Sequence, residues 1–231
     1  MPERAPALTG PQRAMAKLGL VRDIDLALHL PLRYEDETRL ARLADAREGH
    51  TLQTEATVAE CRVDFRPRRQ LVAHLTDDEG QELVLRFLNF YPSQQKALAP
   101  GTRVRVRGEL RGGFLGREMV HPTVKAAGAP LPAALTPVYP TTAQLPQAYL
   151  RKAVAAALQR ADLREVLPTG CVPAELPSLQ QALQLLHQPP PHTELAALED
   201  RSHPAWQRLK FDELLAQQIS QLTAQRERAL L

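Results

Sequence analysis

Polar and apolar positions alternate most sharply at TRVRVRGELRGG, residues 102 to 113, where Arg103, Arg105 and Arg107 interleave with Val104 and Val106. Successive side chains of a strand point to opposite faces, so the pattern predicts a strand with one buried face and one wet face. Other runs near it read the same way. TLQTEATVAECRVDF predicts a long first strand, RRQLVAHLTD a second closed by a DDEG turn at Asp77 to Gly80, and ELVLRFLNF a third. PSQQKALAPG reads as one short helix, with Pro92 near its start and Gly101 past its end. The arginine–valine strand is the fourth. FLGREMVHP is the fifth, expected to pair with the fourth through a Gly112-Gly113 turn.

Three strands, a short helix and two strands is the order of a five-stranded Greek-key barrel, the OB-fold. It occupies residues 49–128 in an α+β chain. Residues 1–48 carry apolar positions at helical spacing: Met15 and Leu18, then Ile24, Leu26 and Leu28, with Gly19 and Pro31 as the two stops. Residues 129–231 begin with a proline-rich, extended linker, AAGAPLPAALTPVYPTTAQLP. The helix QAYLRKAVAAALQRADL follows, with Leu150, Val154 and Leu158 on one side, then short helices around SLQQALQLLHQ and a stop at QPPPHT. The last segment predicts a long amphipathic helix with Leu209, Leu214, Leu215, Ile219 and Leu222 among its apolar positions and Trp206 packing it on its neighbours. It reaches the last residue without a glycine cap, so the chain is expected to belong to a larger protein.

Composition narrows the function classes. The net charge of +3 is too mild to demand a nucleic-acid partner; local clustering decides that. Aromatic content is only 4%, so each aromatic ring carries weight. Cys61 and Cys171 make neither a zinc pattern nor a disulfide framework, which fits a reducing cytoplasm. There is no signal-peptide-like apolar run and no segment of membrane-spanning length, so a soluble, cytoplasmic protein is expected. GxxxxGK[ST], strand-following GxGxxG, HExxH and GxSxG are all missing, as are carboxylates spaced for acid–base work. Glu35, Asp36 and Glu37 read as a solvated turn rather than a metal site, and His74 and His121 as structural strand residues. The chain is predicted to be non-catalytic, with no cofactor or metal of its own.

Longer motifs point to a family. HLPLRYEDET (29–38), TPVYPTT (136–142), LHQPPP (186–191) and RLKFDELLAQQ (208–218) resemble the N-terminal half of RecG, the bacterial ATP-dependent helicases of branched DNA. FLNFYPSQQKALAPG and GREMVHP resemble the wedge domain of that family. The motifs stand in the family's order and span nearly the whole chain. The resemblance implies a wedge that binds the branch point of replication forks and Holliday junctions. It splits the strands there during fork reversal, recombination and repair. It also implies a motor lying C-terminal to everything here, which would use ATP and Mg²⁺. Further implications are association with single-stranded DNA-binding protein and a monomer on DNA. The chain departs from the family pattern twice. Of a helix-hairpin-helix-like glycine turn only Thr9-Gly10-Pro11 remains, and Leu88 stands where the family often has a second adjacent aromatic.

These implications assign roles to residues. Arg103, Arg105 and Arg107, which the alternation alone leaves as either a solvated face or a phosphate ladder, become phosphate contacts. Arg66, Arg68 and Arg69, in the turn between the first two strands, form a second basic cluster. Phe87, Phe90 and Tyr91 close the third strand and would stack on bases unpaired at the branch. One of Phe87 and Phe90 is expected in the core, Tyr91 is expected exposed, and Leu88 could act as an apolar wedge. Phe114 is expected to pack the barrel. The rival reading is an OB-fold interaction module that docks a partner peptide, such as the tail of single-stranded DNA-binding protein.

Overall fold

The computed structural model describes residues 9–65, 68–113, 116–168 and 170–229. Along the chain run α1 (Gly10–Lys17), α2 (Asp23–Ala27), β1 (Arg33–Glu35), β2 (Thr51–Asp64), β3 (Gln70–Thr76), β4 (Glu82–Phe87) and α3 (Pro92–Ala97). Then follow β5 (Arg103–Glu109), β6 (Arg111–Gly113), β7 (Gly116–Val120), β8 (Thr123–Ala126), β9 (Thr136–Val138), α4 (Gln147–Arg160), α5 (Leu179–His187), α6 (Leu195–Glu199) and α7 (Pro204–Ala229). These gather into two compact units, Glu37–Pro132 and Met1–Asp36 with Ala133–Leu231. The sequence reading makes three consecutive segments instead, because local patterning cannot register that the first and last helices share a core.

In the unit Glu37–Pro132, β2 is the axis. Its first half, Thr51–Thr57, pairs antiparallel with β5, and its second half, Thr57–Asp64, with β3. The register shifts between Val58 and Glu60, a bulge that bends the strand where it changes partners. β3 pairs antiparallel with β4, and β4 pairs parallel with β7. The strand order is β6-β7-β4-β3-β2-β5-β8. The five expected strands are β2, β3, β4, β5 and β7, with α3 between the third and fourth, in the OB arrangement. β6 and β8 are short additions at the two edges, and the sheet stays open.

One strand pairing differs from expectation. The fifth strand does not hang on the fourth by a Gly112-Gly113 turn. Gly112 and Gly113 lie inside the β6–β7 ladder, opposite Arg117 and Gly116, and β7 lies beside β4. A two-glycine signal marks a turn only when the chain reverses at it. A Cβ on Gly113 would meet only the carboxylate end of the Glu118 side chain, 2.5 Å away, so neither turn nor backbone packing demands glycine there. Phe114 lies outside the described residues. The core packs Leu71, Leu75, Leu83, Leu85 and Phe87 against Val104, Val106 and Met119.

The second unit is mostly helical. Thr9 caps α1 reciprocally with Gln12, and Gly19, at φ +77°, supplies the left-handed residue after it. The stretch read as linker contains a strand: Thr136–Val138 pairs antiparallel with Arg33–Glu35 of the acidic loop. Two three-residue segments so far apart in the chain leave no local trace of such pairing. α4 buries Leu150, Val154, Ala157 and Leu158, and α5, capped by Ser178, buries Ala182, Leu183 and Leu186. Buried His187 joins α2 to the residue after β9. Its Nε2–H donates to the Ala27 carbonyl at 2.8 Å, so Nδ1 accepts the Tyr139 hydroxyl proton, also at 2.8 Å. Burial lowers the His187 pKa to about 4, which keeps the ring neutral for both bonds.

α7 differs from an ordinary amphipathic helix. Only Ala205, Trp206 and Arg208 are buried, in its first turns, whereas Leu214, Ile219 and Leu222 are exposed. Arg208 is the anchor. At 1% side-chain exposure it donates to Asp212 (3.0 Å), Glu165 (2.8 Å) and the Pro177 carbonyl (3.0 Å). Arg208→Met should destabilise the chain by about 1.5–3 kcal/mol, as expected for removing charge-assisted bonds whose partners still reach water. Urea unfolding measures it; an unchanged midpoint would mean that the anchor is dispensable.

Candidate nucleic-acid interface

The arginine ladder of β5 forms, but its three members are not alike. Val104 and Val106 enter the core as the alternation requires. On the other face, Arg105 is only 6% exposed; it donates to Glu55 at 2.7 Å and to the Ala129 carbonyl at 2.6 Å. Glu55 also accepts the Gly128 N–H at 3.0 Å. Arg107 is 16% exposed and lies 4.0 Å from Glu37, which also binds Lys125 at 3.1 Å. Arg103 alone of the three stands at the surface, held bidentate by Asp78 at 2.6 and 2.7 Å. Thus Arg105 is not available to a phosphate backbone in this fold, and Arg107 is mostly covered. The segment after β8 and the loop around Glu37 cover this face at Arg105 and Arg107, so only its Arg103 end is open. Glu37, read from sequence as part of a solvated turn, is a counter-ion here.

These pairs shift the carboxylates. The Gly128 N–H, with Arg105 beside it, lowers the Glu55 pKa, and Arg103 lowers that of Asp78. A depressed glutamate stabilises the fold above its unfolded value of about 4.3, and that contribution fades as pH falls through the folded value. Glu55→Gln should therefore melt below the unaltered protein at pH 7. The gap should narrow on acidification below about pH 4. A gap constant with pH would mean that Glu55 acts through packing rather than charge.

A different surface collects exposed rings and cations. Phe87 pairs across from Leu71, and Asp64 from Gln70, so the β2–β3 hairpin tip and the exit of β4 share one end of the sheet. Phe65, at that tip, is 71% exposed, and Tyr91, beyond β4, is 74% exposed. Tyr91 is held there as the residue before α3: its N–H donates to the Gln94 side chain at 2.9 Å, and Pro92 fills the first helical position. Phe90 is half-buried, and the Arg69 guanidinium lies over its ring, 4.4 Å from the centroid. Leu88 is half-buried, and Arg68 and Arg69 are exposed. Arg66 lies outside the described residues. Phe87 is the core member of the aromatic group, at 1% exposure. Phe87→Ala should cost about 3–5 kcal/mol of stability, read by thermal melting, and therefore cannot report on binding.

Sequence reasoning missed Phe65. It ends an apolar–polar alternation and passes for one more strand residue. Its place beside the RxRR turn was the available signal. Among the described residues, no group of His, Cys, Asp or Glu is placed to hold a metal ion, and no helix is long and apolar enough to cross a membrane.

The RecG wedge domain model matches residues 8–160. The chain belongs to this family. It is 40% identical over 215 residues to the ATP-dependent DNA helicase RecG of Escherichia coli K12, covering 90% of the chain and 31% of that protein. It is 38% identical over 213 residues to the RecG of Pasteurella multocida, covering 89% and 30%. The chain thus spans about a third of the length of the curated relatives it matches. A solved structure of RecG bound to a three-way DNA junction superposes with a TM-score of 0.69, at 23% identity, over 99% of this chain and 32% of that one. Within the family's matched range lie the whole open barrel, both exposed rings and the β5 ladder.

Proposed function

We propose that this chain is the branched-DNA-binding wedge of an ATP-dependent DNA helicase acting at replication forks and Holliday junctions, in fork reversal, recombination and repair. One observation carries the reading: two exposed rings, Phe65 and Tyr91, share one end of an OB-type sheet with an Arg69–Phe90 stack. A fork offers unpaired bases and converging phosphates together, and such an end answers both. Rings take bases at roughly 1–3 kcal/mol each, without reading sequence. Arginines take phosphates, also without reading sequence. Sequence-blind recognition suits a junction that can arise anywhere. Membership in the RecG wedge family supports the same assignment. We place the protein in the cytoplasm, acting as a monomer.

The relatives' names carry an ATP-dependent activity, and this chain matches 31% of their length. Its sequence holds no GxxxxGK[ST] loop to cradle the phosphates of ATP with its Mg²⁺. We assign both to the remainder of such a helicase. The chain's own contribution is to bind, orient and part strands. Among the expected phosphate contacts we retain Arg68, Arg69 and Arg103, the last at the cost of its Asp78 pair, and set aside Arg105 and Arg107.

A second reading has one observation behind it. A groove of about 250 Å³, lined by Ala97, Val104, Val124 and Ala126, has Arg103 and Lys125 at its rim. That chemistry suits an acidic peptide with an apolar end, such as the tail of single-stranded DNA-binding protein.

Competition between a three-way fork and linear duplex of equal length tests the main reading. Tyr91→Ala and Phe65→Ala should each weaken fork binding by about 1–3 kcal/mol and leave duplex binding unchanged. Arg68→Ala with Arg69→Ala should lower the salt slope of log K by about 0.9 for each phosphate the chain no longer neutralises. Equal affinity for fork and duplex in the unaltered chain would overturn the wedge and favour the peptide reading.

A further inference from the structure

Two described residues other than glycine adopt positive φ, His121 at 53° and Arg201 at 61°. Arg201 has an ordinary reason: it follows the C-cap of α6, where a left-handed residue commonly ends a helix. His121 has none of that kind. It follows strand β7 and precedes Pro122, and a proline biases the residue before it toward extended backbone. Glycine would occupy the position at lower cost. Strained residues persist when their surroundings over-determine them, and they cluster at ligand-contacting sites.

The side chain gives the strain a purpose. The His121 N–H donates to the Arg86 carbonyl at 2.8 Å, which fixes the residue beside the exit of β4. Its ring stands edge-to-face with Phe87, centroids 6.1 Å apart at 89°. Phe87 is buried, whereas His121 is exposed. The aromatic surface that the sequence reading assigns to Phe87 is therefore presented to solvent by His121. It lies at the end of the sheet that also carries Phe65, Phe90 and Tyr91.

We propose that His121 is a further branch-contact residue, whose imidazole face, braced by Phe87, stacks on a base unpaired at the junction. This rests on the wedge reading above. Aromatic and imidazole rings both serve as stacking partners for splayed bases. The left-handed backbone is what turns the ring onto Phe87 rather than along the strand.

The test uses the 231-residue chain in fork-against-duplex competition, with melting temperature measured for every variant. His121→Gly should melt no lower than the unaltered chain, because it relieves the strain. It should lose roughly tenfold in fork affinity, within the range of a single stack, with duplex affinity unchanged. His121→Phe should keep fork affinity, since the ring face remains. Tyr91→Ala runs in parallel. A fork defect in Tyr91→Ala with none in His121→Gly overturns this inference alone and makes His121 a turn residue. Loss of fork binding in His121→Phe equal to that in His121→Gly overturns stacking. An unaltered chain that does not prefer forks overturns the wedge reading, and this inference with it.

Discussion

Strand β2 binds β5 with its first half and β3 with its second, and the bulge between Val58 and Glu60 is where it turns from one to the other. The barrel depends on that switch. A flat strand would leave β5 and β3 on one plane with Val104 and Val106 far from Leu71 and Leu75; bending at the bulge brings them into one core. The same strand, prolonged to Asp64, carries the hairpin that lifts Phe65 clear of the barrel. The fold and the exposed ring at the hairpin tip thus share one element.

Charge on the barrel follows from how completely each face is covered. A forked guanidinium in a nearly dry site needs carboxylate and carbonyl acceptors, since desolvating it alone would be costly. Arg105 has both, from Glu55 and Ala129. That pairing stitches β5 to β2 and to the segment after β8. It uses the arginine's donors for structure and leaves it no open face toward a ligand. At the hairpin end Arg68 and Arg69 stand in the open, and Arg69 rests on a ring instead of a carboxylate. Which arginines are tied into the fold and which stand open is therefore a matter of what covers each surface rather than of two sequence motifs.

The aromatic group divides in the same way. Phe87 is drawn inward by strand alternation and becomes the base against which the His121 ring stands, while Tyr91 is held outward by the helix cap that follows it. A rigid core residue beneath and a capped helix beside limit how far exposed rings can move. Preorganised rings lose less freedom on binding than mobile ones.

Much of this was legible in the sequence. Alternation and turn residues marked β2, β3, β4, β5 and β7, the helix between the third and fourth, and hence the OB order. Local patterns suffice there because each strand's periodicity is written in its own residues. The same local signals placed Tyr91 at the surface and one of Phe87 and Phe90 in the core. Tertiary structure decided the rest. Pairing of β1 with β9, burial of Arg105, exposure of Leu214 and Ile219, and the stand of His121 on Phe87 all join or separate residues remote in the chain. An alternating arginine reads the same whether its face meets water or a returning loop. A sequence determines which side chains share a face; only the packed chain determines what, if anything, covers it.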